Sequence, residues 1–154
     1  MATPPPFSYD PHEHEGERAS NSYLMSLLAV MAGLPLPIVN LIATAIFFMA
    51  NRKGTRFVRW HCTQALLSQL ATFVINVVGF WWSISVIFGS GTATNAYFSY
   101  ILTIILFNLA ELAATIHAAI RTRRGHHVEW WFFGPLTDIL VPSESSDEKN
   151  LAAF

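Results

Sequence analysis

The chain has 154 residues, 53% hydrophobic and 12% charged, whereas an ordinary soluble domain carries about 25% charged residues. A formal net charge of -1, from nine basic and ten acidic residues, excludes the broad basic surface of a nucleic-acid-binding domain. The single cysteine, Cys62, excludes an internal disulfide and any multi-cysteine metal motif.

Residues 1–20 hold Pro4, Pro5, Pro6 and Pro11 among acidic and small residues. Such a segment buries too little apolar surface to offset its ordering entropy and reads as a disordered tail. It lacks a basic region followed by a short apolar core and a small-residue cleavage site, so the first apolar segment is expected to serve as an uncleaved anchor. Asn21 or Ser22 is the expected cap of a helix over 22–33. Gly33, Pro35 and Pro37 break it, and a second apolar helix is expected over 37–50. Read as one kinked helix, this region is longer than a hydrocarbon layer of about 30 Å; read as two arms folded back, neither arm spans it.

Next comes the first of two basic clusters, Arg52 to Arg59 with four basic residues; the second, Arg121 to Arg124, has three, so seven of the nine Lys and Arg lie in these two stretches. No Lys, Arg, Asp or Glu occurs from Trp60 to Ala110 or from Ala19 to Asn51. A hydrocarbon span needs roughly 20 apolar residues and basic residues collect in cytoplasmic loops, so both clusters are expected in the cytoplasm of a bacterial inner membrane.

Helices are expected over 61–88 and 98–120, joined by the turn chemistry of Gly89 to Asn95, with Trp81, Trp82, Tyr97 and Tyr100 at the far interface. Gly125 is a helix stop, and Val128 to Phe133 opens an aromatic interfacial segment over 128–141. Residues 142–154 read as a second disordered tail. The fold class is therefore an all-α polytopic membrane bundle over 21–140, with four helical segments, the first two short and separated by the Gly/Pro break.

Polar groups inside hydrocarbon must be satisfied, so they mark the places where function or helix association resides. Gln69, Thr72 and Asn76 share one helix face at spacings of three and four, with Gln64 and Ser68 beside them; Asn108, Glu111 and Thr115 repeat the spacing on the last span. Facing stripes of this kind satisfy one another as interhelical glue, or line a polar path. Glu111 is the one acidic residue between the basic clusters, and desolvation there favours its neutral form unless a partner holds the carboxylate. His61 stands at the cytoplasmic mouth; haem ligation with His117 requires opposed faces at equal depth, and His12 with His14, or His126 with His127, form metal-like pairs by spacing alone. No phosphate-binding Gly loop, zinc-protease helix or nucleophile elbow is present, and no cofactor or metal is expected.

The stretch Arg56-Phe-Val-Arg-Trp-His61-Cys-Thr-Gln64-Ala65-Leu66, with a basic glycine turn at Arg121 to Gly125 and an aromatic-proline segment to Pro135, resembles a family of small bacterial membrane proteins of unknown function. That family is grouped with the channel-type (Tic-type) subunit of the chloroplast inner-envelope import machinery. The resemblance covers about residues 20–140 and implies a four-helix membrane unit with both termini cytoplasmic. Trp130 to Phe133 is bulkier than the family's tyrosine-proline run, and the acidic N-terminal tail is not shared.

The resulting expectation is a non-enzymatic subunit or accessory of a larger membrane complex, in protein translocation or membrane biogenesis. Phe57, Arg59, His61 and Gln64 are its expected partner or lipid-headgroup contacts; the bilayer and other membrane subunits are its partners, with homo-oligomerisation possible and nucleic acid excluded. The alternative is a small oligomeric channel or transporter with a polar path through Gln69, Asn76, Asn108 and Glu111. A third, enzymatic reading places His61 and Glu111 on a lipid substrate.

Overall fold

The computed structural model describes residues 10–27, 37–89 and 91–141, and their regular structure is entirely helical. Helix α1, Glu13–Met25, starts well before the expected cap at Asn21 or Ser22. Glu15 accepts a hydrogen bond from the His12 amide at 2.7 Å, and Glu13 and Glu15 place negative charge at the helix's positive end. The expected disordered tail is thus corrected from Glu13 onward. The segment lacks large apolar side chains, but Gly16, Ala19 and Ser20 are buried, and small residues let two backbones approach closely. A Cβ at Gly16 would lie 2.8 Å from the Thr122 carbonyl oxygen, so only glycine fits this crossing.

Helix α2, Pro37–Asn51, begins on a proline, whose missing amide costs nothing in a first turn. Its 15 residues reach about 22 Å, short of a hydrocarbon span. The second half of the helix expected over 22–33 and the Gly33 to Pro35 break lie outside the described residues, as do the tails 1–9 and 142–154.

Two long helices dominate. Helix α3, Arg56–Phe88, has 33 residues and reaches about 50 Å; α4, Asn95–Arg123, has 29 and reaches about 44 Å. Thr94 caps α4 by accepting from the Tyr97 amide at 3.3 Å, and Gly125, at φ 75°, ends it in the left-handed conformation that glycine tolerates. Both helices are long and apolar enough to cross a membrane, and their most apolar windows are only 11% buried. The core helix of a soluble protein would be mostly covered; here Leu102, Leu106 and Leu109 point outward. Both helices are longer than a hydrocarbon layer of about 30 Å.

The two ends differ. At the far end, Trp82 packs on Tyr97 and Tyr100, with the Ser83 and Tyr97 hydroxyls 3.0 Å apart, while Trp81 is exposed. At the basic end lie both buried apolar clusters: Ala19, Phe57, Trp60 and Val141, and Tyr23 with Ala65, Ala118 and Ala119. Helix α5, Phe133–Leu140, closes this end. Trp131 is 93% exposed, and Leu136, Ile139 and Leu140 are also exposed, so the aromatic segment carries an uncovered apolar face beside the basic loops. The described residues thus form five helices, the fifth within the expected interfacial segment 128–141, and two of the five have spanning length.

Candidate functional site

A densely connected polar group lies at the basic end, where α1, the start of α3 and the loop after α4 meet. Gln64, on α3, is fully buried. Its Oε1 accepts from the Trp130 amide at 3.0 Å, which identifies the other terminal atom as the amide nitrogen. That Nε2 donates to the Tyr23 hydroxyl at 2.8 Å and to the Val128 carbonyl at 3.1 Å. One side chain therefore fastens two separate segments, α1 and the 126–132 loop, onto α3. Trp60, also buried, extends the clamp by donating from Nε1 to Asp138 on α5 at 2.7 Å.

These donor assignments fix the direction of a longer chain. Tyr23 accepts from Gln64, and its own proton faces His61 Nδ1 at 2.9 Å. With His61 Nδ1 assigned as the acceptor of that proton, the ring proton is assigned to Nε2, 3.4 Å from His127 Nδ1. The series Gln64, Tyr23, His61, His127 runs from a buried amide to a half-buried histidine with each donor facing an acceptor. Trp60 stacks edge-on against both imidazoles, with centroids 5.0 and 4.3 Å away, and Phe57 closes on His61 at 4.6 Å.

This environment keeps the series neutral. Burial raises the Tyr23 phenol far above its ordinary range. Burial lowers His127 to about 4, with Asp138 opposing the shift and Arg56 adding to it. Because the folded His127 binds its proton less readily than an ordinary histidine near 6.5, the unfolded chain protonates first as the pH falls. The contribution is complete above about pH 6.5 and is lost as pH falls toward 4. The melting temperature in detergent is expected to fall across that window, and His127→Gln to flatten part of the slope; an unchanged slope in that variant would refute the assignment.

Within the spans, the two polar stripes meet. Glu111 Oε1 accepts from Gln69 at 2.7 Å, Thr115 at 3.0 Å and Ser68 at 3.2 Å. Asn76 and Asn108 exchange amide hydrogen bonds at 3.1 Å in both directions. Glu111 is thus held by neutral donors on α3 and α4, in place of the cation from the Arg52 to Arg59 cluster that a buried carboxylate invites.

Of the four residues expected as partner or headgroup contacts, Phe57, His61 and Gln64 are 0% exposed and Arg59 alone is exposed. The neighbour of His61 is His127 and not His117, which is exposed on α4. His127, Tyr23, Trp130 and Asp138 carry the network without having been expected at this site. The only sequence signal for any of them was the His126-His127 doublet, whose partner lies 66 residues away. Among the described residues, no three His, Cys, Asp or Glu side chains gather as a metal site.

No curated protein and no solved structure matches the chain. The family match covers residues 19–140, from the buried face of α1 through both spans to the end of α5. The chain belongs to the MamF/MmsF family, the magnetosome magnetite crystal formation protein family, and this membership together with the two apolar spans supports a membrane location. The expected likeness to a bacterial membrane-protein family is met by this match, which carries no link to the chloroplast import machinery.

Proposed function

We propose that this member of the MamF/MmsF family acts as a non-enzymatic, multi-pass protein of the magnetosome membrane, an accessory subunit of a larger membrane assembly in which magnetite crystals form. One observation carries the reading: the family match spans the clamped basic end and both lipid-facing helices as one continuous unit. The Gln64 network gives that unit a fixed polar platform at the basic end. The uncovered apolar faces of α3 and α4 suit packing against lipid or sister subunits, including further copies of this chain. A role in translocation or membrane biogenesis is the form this accessory activity takes, with the basic loops cytoplasmic by the positive-inside rule.

The test is genetic disruption in a magnetite-forming host, followed by electron microscopy of the crystals. Altered crystal size or number is expected, with recovery on return of the parent chain; unchanged crystals would refute the proposal. Purification in mild detergent is expected to bring down other membrane subunits, and a lone monomer would remove the accessory role. Orientation is read by introducing cysteines at Lys53 and Thr92, both exposed, against a low background from buried Cys62. An impermeant thiol reagent is expected to reach them from opposite sides, Lys53 from the cytoplasm.

A second reading, a small oligomeric channel, is favoured by one feature: Gln69 with Glu111, and Asn76 with Asn108, form two hydrogen-bonded polar pairs between α3 and α4. Substitution at Glu111 separates the two readings.

A further inference from the structure

A partly open cavity of about 330 Å³ lies at the basic end between α2, the first turns of α3 and the end of α5, away from the Gln64 network. Such a volume falls at the lower end of ligand-sized pockets. Its walls combine two kinds of chemistry. Arg52 and Arg59 bring exposed guanidinium groups to one cavity, and neither pairs with a carboxylate among the described residues. Phe48, Leu66, Leu67 and Leu140 supply an apolar floor, and among the described residues no acidic side chain lines the site. Two like charges converging without a counter-ion are unfavourable unless an anion joins them, and guanidinium groups match phosphate oxygens with paired hydrogen bonds.

We infer that this cavity binds an anionic phospholipid, its headgroup phosphate between Arg52 and Arg59 and the first carbons of an acyl chain along Phe48, Leu66 and Leu67. The shared chemistry with free phosphate is the oxyanion; the apolar floor selects the lipid. The remainder of the acyl chain meets apolar surface outside the cavity, because Ile42, Ile46 and Met49 are exposed on α2. The location suits the occupant: the cavity sits where a basic loop meets lipid-facing helix, the depth of a phospholipid phosphate. This site stands independently of the part the chain plays in crystal formation.

The test uses full-length protein purified in detergent and native mass spectrometry with added phosphatidylglycerol, phosphatidylcholine or inorganic phosphate. Phosphatidylglycerol is expected to bind tightest. In the Arg52→Gln/Arg59→Gln double variant its advantage over phosphatidylcholine should fall by roughly 10- to 30-fold, two basic contacts at an anionic headgroup. Leu67→Trp, which fills the apolar floor and keeps both arginines, is expected to weaken both lipids together. Arg121→Gln/Arg124→Gln, in the other basic cluster, serves as the control and should leave binding unchanged. Equal binding of the two lipids by the parent, equal loss in the control variant, or inorganic phosphate displacing phosphatidylglycerol at comparable concentration would each overturn the inference.

Discussion

Replacing Gln64 with leucine is expected to be the most damaging single conservative change in the chain. Leucine has nearly the volume of glutamine, so the cavity stays filled and the loss is purely of hydrogen bonding. Three groups lose their partner together: the Trp130 amide, the Val128 carbonyl and the Tyr23 hydroxyl oxygen. A buried polar group left without a partner costs about 1–3 kcal/mol, so a total of about 3–5 kcal/mol is expected after some relaxation of the loop. For a chain of this size that lowers the melting temperature by on the order of 10 °C. The tryptophan fluorescence should change as well, because Trp130 packs on Tyr23 with centroids 5.8 Å apart. The Gln69→Leu variant, which loses one hydrogen bond to Glu111, is the comparison and should melt much closer to the parent. If Gln64→Leu melts within about 2 °C of the parent, the clamp does not hold the basic end together.

Gln64 also shows where sequence reasoning reaches and where it stops. Hydropathy and the basic clusters point to both spans, since period-independent greasiness over more than 20 residues is a property of the local chain. The interhelical stripes are also local in origin: spacings of three and four put Gln69 with Asn76 and Asn108 with Glu111 on single faces, and a buried polar face needs a polar partner. The first part of helix α1 was not legible in this way, because its close approach to α4 rests on the missing side chain of Gly16, and absence has no hydropathy signal. The histidine pair was still less legible. His61 and His127 meet only after α4 returns the chain to the basic end and Gly125 turns it back over α3. Residues 61 and 64 read as exposed mouth contacts because they adjoin the arginines in sequence, yet α1 and the loop cover them.

Substitution of Glu111 has the second large effect expected, and it distinguishes packing from transport. In Glu111→Leu the Ser68, Gln69 and Thr115 donors lose their common acceptor. Two of these bonds, from Ser68 and Gln69, cross between helices, where a hydrogen bond in lipid averages about 0.6 kcal/mol and reaches about 1.7, so a loss of about 1–3 kcal/mol is expected, read as a lower melting temperature in detergent. Glu111→Gln keeps an oxygen in the same place without any charge, and all three donors still have their acceptor. If the residue serves as glue, the glutamine variant should melt near the parent and complement a disrupted strain fully. A channel that needs the carboxylate behaves oppositely: the glutamine variant would stay stable, yet ion flux through reconstituted liposomes would drop as far as in Glu111→Leu. Flux in the parent no greater than in empty liposomes, with glutamine rescuing stability, leaves Glu111 a structural hydrogen-bond acceptor. Parent flux that vanishes in a stable Glu111→Gln protein would instead make the charge itself the functional element of the span.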